Sequence, residues 1–203
     1  MRKGRNPAAF LAMFAGLLCL TLDISLSAGW GTFDLLPDFL GYLLFFLSCN
    51  FILQTGRYAP CENYFRWARG IAFAAFLVSL AIVFRSANAI RFGNFVILLS
   101  SVLGFVLSWF ILSAIRRIAA VVGAEALAGK CLPCLWLQLG AFLVSGSFLL
   151  TGGLLKQMIP LYLVLAAILI ATRIFYFILL WQAHKLFDGR EDSFVLPDRG
   201  PEL

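Results

Sequence analysis

The chain contains six separate apolar runs, each close to the length that is needed to cross a lipid bilayer. They cover residues 8–28, 33–53, 67–84, 92–115, 132–155 and 159–180. About 20 predominantly apolar residues are needed for one helical span. The sequence therefore predicts an all-α, polytopic membrane helix bundle with about six transmembrane helices.

Composition agrees with this prediction and limits the number of domains. Of the 203 residues, 62% are hydrophobic and 13% are charged, whereas soluble domains are about half apolar and a quarter charged. We expect a single bundle over 1–187 and a short polar cytoplasmic tail over 188–203. The net charge of +6 comes from residues at helix ends, so no nucleic-acid partner is predicted.

The distribution of Lys and Arg predicts the orientation. Twelve of these residues lie on one side of the predicted spans, and only Arg85, Arg91 and Lys156 lie on the other. Because positively charged loops stay in the cytoplasm, both termini are predicted to be cytoplasmic. An alternative is that the first run is a cleaved signal peptide, but its length and the position of Asp23 argue against this.

Two connections on the predicted cytoplasmic side are candidates for contact with lipid. Residues 57–69 interleave aromatic side chains with three arginines, and residues 116–130 are Ala-rich with cationic ends. Both patterns suit the headgroup layer. The predicted partners are therefore membrane lipids, including anionic lipid at the cytoplasmic face. The alternative is that these positive residues only anchor the loops on the cytoplasmic side.

Three carboxylates mark the outer ends of the first two spans: Asp23, Asp34 and Asp38. At a spacing of four, Asp34, Asp38 and Tyr42 would share one helical face, and Gly41 would let a neighbouring helix approach. The two later acids also suit a helix start, where carboxylates cap free N–H groups. Asp23 needs a partner inside the bundle, and Arg85 and Arg91 are the outer ion-pair candidates.

The motif around these acids resembles a known group. The segment DLLPDFLGY at 34–42, followed by FRWAR at 65–69, is similar to small multi-pass membrane proteins of Gram-positive bacteria that carry an LPDFxGY signature. The similarity covers the first hundred residues. It implies a location in the bacterial cytoplasmic membrane, and it implies no mechanism because that group has no established activity.

A second polar layer is predicted in the inner leaflet. Arg173 follows Pro160 by 13 residues and Asn50 follows Pro37 by 13, so both side chains should lie at one depth, about 20 Å from the outer boundary. Gln138 reaches a similar level. A buried guanidinium needs acceptors, so this layer is either a structural clamp or a binding site. Because no carboxylate matches that depth, an anion is the expected ligand.

Four residues on the cytoplasmic side could hold a metal or form a redox pair: Cys61, Cys131, Cys134 and His184. Their types fit a Cys3His zinc site or a dithiol, but cysteines at i and i+3 also pack simply as small apolar side chains. His184 is the single histidine and no phosphate-binding glycine loop is present. We predict no cofactor, and the residue content argues against an enzyme.

Three functions follow from this sequence. Polar residues at two depths favour a small-solute transporter, or the substrate-capturing membrane subunit of one. The short loops also suit an accessory or assembly subunit with a membrane-protein partner. The third alternative is a thiol redox or zinc enzyme at the cytoplasmic face. Small residues at Ser100, Gly104 and Ser108 predict that the fourth span is central.

Overall fold

The computed structural model describes residues 9–21, 25–28, 31–34, 38–56, 58, 61–83, 93–150 and 159–188. Within these residues the chain forms six α-helices and one short β-hairpin. The helices are α1 (Ala9–Thr21), α2 (Asp38–Thr55), α3 (Glu62–Val83), α4 (Gly93–Val122), α5 (Glu125–Leu150) and α6 (Ile159–Ala183). Each helix lies on one of the six apolar runs, so the predicted all-α bundle is confirmed.

Within the described ranges, four helical segments are long and apolar enough to cross a membrane. They are Asp38–Thr55, Leu98–Val122, Glu125–Val144 and Ala166–Asp188. Helix α1 is also apolar but has only 13 described residues. Helix α3 has 22 residues, and its first two turns carry Glu62, Arg66 and Arg69. The outer surface exposes large apolar side chains such as Trp67, Phe95 and Trp136, as expected for helices that face lipid rather than water.

The helices form a closed ring. Each one packs against the next in the sequence, and α6 returns to pack against α1. A π-helical turn, His184–Asp188, continues α6 and also contacts α1. A cavity lies in the space inside this ring.

Helices α1 and α2 approach each other through two glycines. A methyl group added at Gly41 would lie 2.7 Å from the backbone oxygen of Gly16, and one added at Gly16 would lie 2.8 Å from that of Gly41. Both distances are well below a normal van der Waals contact. The sequence prediction that Gly41 admits a neighbouring helix is therefore confirmed.

The basic end of the bundle, where Arg116, Arg117, Lys130 and Lys185 lie, is closed by an aromatic cluster. Phe10 of α1 packs against Phe187 with 5.3 Å between ring centroids, and against Tyr58 at 6.2 Å. All three side chains are buried. This cluster joins the beginning of α1, the α2–α3 connection and the end of α6.

Asp188 adds a capping interaction at the same end. Its carboxylate accepts hydrogen bonds from the backbone N–H of Phe10 at 3.1 Å and of Leu11 at 3.2 Å, and it contacts His184 Nδ1 at 2.8 Å. A carboxylate in this position satisfies free N–H groups and complements the helix dipole. The first turn of α1 is thus capped by a residue 178 positions later in the chain.

The connection between α1 and α2 differs from the prediction. Strands β1 (Ser25–Ala28) and β2 (Gly31–Asp34) pair antiparallel, with Ser25 opposite Asp34. Asp34 therefore belongs to a strand and not to the first turn of α2, and the expectation that Asp34, Asp38 and Tyr42 share a helical face is wrong for Asp34. Pro37 explains this, because the residue before a proline is disfavoured in the helical conformation.

A polar cavity as the candidate functional site

A cavity of about 240 Å³ lies inside the ring. Five helices contribute to its wall: α1, α2, α4, α5 and α6. Apolar side chains form part of the lining, but the same wall carries nine polar or charged residues: Asp38, Tyr42, Ser100, Ser101, Ser108, Gln138, Thr172, Arg173 and Tyr176. Such a density of polar groups inside an apolar bundle marks this cavity as the candidate site.

The α6 part of the wall follows from helical periodicity. Leu169, Thr172, Arg173 and Tyr176 line the cavity, and residues spaced by three, four and seven lie on one face of a helix. The Thr172 hydroxyl donates to the backbone oxygen of Ile168 at 2.8 Å, so its proton is used within the helix while its oxygen can still accept.

The α4 part of the wall consists of the small residues that the sequence singled out. Ser100, Gly104 and Ser108 all line the cavity. The Tyr42 hydroxyl lies beside Ser100, and a methyl group at Gly104 would lie 3.1 Å from the Tyr42 hydroxyl oxygen. These small residues therefore leave room for the Tyr42 side chain and for the cavity beside it.

Two buried polar atoms in the wall lack hydrogen-bond partners. Gln138 is 8% exposed and Tyr176 is fully buried, yet neither the Gln138 Nε2 nor the Tyr176 hydroxyl has a partner in the structure. The Tyr176 hydroxyl approaches Ser108 and the Gln138 side chain approaches Cys134, and neither approach completes a hydrogen bond to these two atoms. Leaving such a group unsatisfied costs about 1–3 kcal/mol. Both residues face a space in which a ligand atom could complete their hydrogen bonding.

Among the described residues, the cavity wall contains one cationic and one anionic side chain. Arg173 of α6 acts electrostatically on both Tyr42 and Tyr176, and Asp38 of α2 acts on Tyr42. Within the described part of the chain, Arg173 forms no ion pair. The Tyr42 hydroxyl thus lies within electrostatic reach of both charges.

The structure brings together four of the seven predicted binding residues: Asp38, Tyr42, Gln138 and Arg173 line one cavity. Asn50 does not join them. Its side-chain oxygen accepts a hydrogen bond from Arg69 of α3 at 3.1 Å, so the predicted contact between Asn50 and Arg173 is wrong. The prediction compared only the depths of the two residues in the bundle. It did not consider the side of its helix from which each side chain projects.

The remaining predicted acids and cations are not among the described residues that line the cavity. Asp34 lies in β2, as described above. Asp23, Arg85 and Arg91 lie outside the described residues, so their proposed ion pairing stays a prediction. Thr172 was missed by the sequence analysis, although its position one residue before Arg173 and four before Tyr176 was a usable signal.

The cysteines on the basic side are buried, and two of them are engaged with backbone oxygens. The Cys131 thiol donates to the backbone oxygen of Leu127 at 3.3 Å, and the Cys61 thiol to that of Ala114 at 3.9 Å. His184 contacts Asp188 instead of a cysteine. No group of three or more metal-binding side chains occurs in the described ranges. Burial also raises the pKa of the Cys61 thiol to about 11, which disfavours the thiolate needed for redox chemistry.

Comparison with known proteins gives no further information on this site. The chain matches no protein-family model, no curated protein and no solved structure. The function must therefore be argued from the cavity and its side chains.

Proposed function

We propose that this protein is a small-solute transporter, or the solute-capturing membrane subunit of a transporter, and that the solute binds in the central cavity. The observation that supports this most directly is the pair of buried atoms without partners, Gln138 Nε2 and the Tyr176 hydroxyl. Both face a cavity whose wall also includes Arg173. A bundle that served only as a scaffold would gain stability from apolar residues at these positions.

The volume of the cavity bears on the size of the solute. A cavity of about 240 Å³ is many times the space that one water molecule needs, which is about 10–15 Å³ on the same measure. It therefore has room for a small solute.

We further propose that the bundle lies in a bacterial cytoplasmic membrane with its basic end in the cytoplasm. The exposed positions of Arg116, Arg117, Lys130 and Lys185 at one end support this orientation through the preference of cationic segments for the cytoplasmic side. Anionic lipid headgroups would contact the same residues.

The binding proposal is tested by thermal unfolding of the purified protein in detergent micelles. The protein is screened against a panel of small solutes that includes inorganic anions, carboxylates, polyols and zwitterions. A solute present at a hundredfold excess over its Kd stabilises the folded state by about 2.7 kcal/mol. We expect at least one member of the panel to raise the unfolding temperature by several degrees.

The variant Gln138→Leu separates binding from stability. Removing a buried amide whose Nε2 lacks a hydrogen-bond partner should raise the unfolding temperature of the free protein by the equivalent of about 1–3 kcal/mol, and the response to the solute should disappear. Gln54→Leu is the matched control, because Gln54 is exposed and lies outside the cavity. If no solute stabilises the wild type, or if Gln138→Leu responds like the control, the cavity is not a binding site and an accessory role is favoured.

Uptake into proteoliposomes then distinguishes a transporter from a solute-capturing subunit. A transporter should exchange the radiolabelled stabilising solute across the membrane by itself. A capturing subunit should bind the solute without exchange. Gln138→Leu serves as the inactive control in the uptake experiment.

A further inference from the structure

Two buried hydrogen-bond donors without partners lie at one level of the cavity. The Gln138 Nε2 and the Tyr176 hydroxyl both belong to side chains of the cavity wall, and neither atom has a partner. The Gln138 side chain approaches the Cys134 thiol, and the same thiol acts electrostatically on Tyr176. This shared neighbour places the two donors close to each other.

The packing of α4 against α5 gives the same level. Only residues 123–124 connect the two helices, which therefore run antiparallel. Phe105 of α4 stacks on Phe142 of α5 with 5.1 Å between ring centroids. Gln138 lies about one turn before Phe142 and so faces the α4 residues about one turn after Phe105, where Ser108 lies. The Tyr176 hydroxyl approaches Ser108 as well.

Arg173 places a positive charge beside these donors. It lies about one turn before Tyr176 on α6 and acts electrostatically on that hydroxyl. Arg173 is exposed and lines the cavity, so its guanidinium is accessible to a solute that enters. It forms no ion pair within the described part of the chain. The donor level therefore carries a positive charge that a bound anion would balance.

The acidic residue of the cavity lies at a different level. Asp38 has an interaction of its own and precedes Tyr42 by one helical turn, and the Tyr42 hydroxyl lies beside Ser100. Ser100 is eight residues from Ser108, which is roughly 12 Å along a helix. Across such a distance Asp38 repels an anion more weakly than Arg173 attracts one in contact. An anion at the donor level is thus compatible with Asp38 in the same wall.

The wall beside the donors is apolar. The stacked rings of Phe105 and Phe142 line the cavity, as do Leu107 and Ala141. These four residues are within about one turn of Ser108 or Gln138 on their helices. An alkyl group gains free energy by packing on such a surface, whereas an inorganic anion does not. The arrangement suits a ligand with one charged end and one apolar end.

We propose that the solute is a small monocarboxylate whose carboxylate binds Gln138 and Tyr176 beside Arg173 and whose alkyl part lies against Phe105 and Phe142. This inference rests on the proposed function of the cavity and names its substrate class. A carboxylate accepts hydrogen bonds at both oxygens, so it can satisfy two donors at once. A divalent anion would require a second cation, and Arg173 is the one cationic residue among the described residues that line the cavity.

The test compares carboxylates with neutral compounds of the same shape. Acetate, propionate and butyrate are each titrated into the purified protein beside acetamide, propionamide and butyramide, and beside nitrate and sulfate, at constant ionic strength. The readout is ligand-induced stabilisation against unfolding, from which a Kd is derived. At least one carboxylate should bind tenfold or more tightly than its amide and than either inorganic anion. Each methylene that packs on the apolar wall should tighten binding by up to about fourfold.

Two variants assign the charge and the hydrogen bond. Arg173→Gln should weaken carboxylate binding at least tenfold and leave amide binding unchanged. Tyr176→Phe removes one hydroxyl and should also weaken carboxylate binding tenfold or more, because hydrogen bonds to charged groups are strong. The matched controls are Arg66→Gln, from an exposed ion pair, and Tyr64→Phe. Neither residue lines the cavity, and both variants should bind like the wild type. If a variant does not fold, the comparison of ligands on the wild type still decides.

The outcomes separate this inference from the proposed function. If the amides, nitrate or sulfate bind as tightly as the carboxylates, the inference is wrong but solute binding stands. The same holds if only a polyol or a zwitterion from the wider panel binds. Carboxylate binding that survives unchanged in both Arg173→Gln and Tyr176→Phe would also overturn the inference. If no solute of either panel binds, both proposals fail.

Discussion

The contact between Gly16 and Gly41 supports a quantitative prediction about how the first two helices pack. In Gly41→Ala, the added methyl carbon would lie 2.7 Å from the backbone oxygen of Gly16 and 2.6 Å from Cγ of Leu20. Non-bonded heavy atoms normally approach to about 3.5–4.0 Å. The Leu20 side chain can rotate away, but the backbone oxygen cannot. Helices α1 and α2 must therefore separate by roughly 0.5–1 Å.

The expected change in stability is the sum of two opposing effects. Overpacking of this kind costs about 1–3 kcal/mol, and the better helix propensity of Ala returns up to about 1 kcal/mol. Because the contact is with backbone, we expect Gly41→Ala to lower the free energy of unfolding by about 1–2 kcal/mol. Gly140→Ala is the control, since nothing lies within 4 Å of a methyl group there. It should raise stability by about 0.5–1 kcal/mol.

The measurement is reversible unfolding in mixed detergent micelles with increasing SDS. Gly41→Ala should unfold at lower SDS than the wild type, and Gly140→Ala at higher SDS. The double variant Gly16→Ala/Gly41→Ala should lose less stability than the sum of the single variants, because the first methyl group has already separated the helices. A Gly41→Ala protein as stable as Gly140→Ala would refute the close approach of α1 and α2.

Three further predictions concern the basic end of the bundle and its orientation in the membrane. Asp188→Ala should lower the free energy of unfolding by about 1 kcal/mol through loss of the cap on α1, and Asp188→Asn, which keeps an acceptor oxygen, should lose less in the same SDS titration. Cys61, with its raised pKa of about 11, should react with a maleimide far more slowly than in the unfolded chain, with a rate rising about tenfold per pH unit between roughly pH 8 and 10. In intact cells a cysteine placed at Trp30 should be labelled from outside, and one at Ala124 only after permeabilisation; labelling of the latter in intact cells would reverse the orientation.

The helices were predictable because an apolar run of bilayer length is a strong and local signal. The direction in which a side chain points around its helix was not predictable. Asn50 is eight residues after Tyr42, and at 100° per residue the two point about 80° apart. Tyr42 therefore faces the cavity while Asn50 contacts Arg69 of α3. Depth alone could not reveal this, because it contains no information on rotation about the helix axis.

The cap on α1 shows a second limit of sequence analysis. Asp188 lies at the end of the chain's last described helical turn, and its partners Phe10 and Leu11 are in the first described helix. No periodicity links positions that are so far apart in the sequence. The sequence analysis assigned residue 188 to a polar tail, whereas its side chain connects the two ends of the helix ring. Only the packing of α6 against α1 brings these groups together.

The distribution of stabilising contacts explains how the bundle tolerates its cavity. Close packing at Gly16 and Gly41 and the aromatic cluster around Phe10 lie outside the polar region, while Gln138 and Tyr176 keep polar atoms without partners at its centre. Those atoms cost stability in the free protein, and under the proposed function they would gain hydrogen bonds when a solute binds. Substitutions that fill the cavity with apolar side chains should therefore stabilise the free bundle and weaken binding together. If they stabilise the bundle without affecting the binding of any solute, the polar centre has no role in recognition.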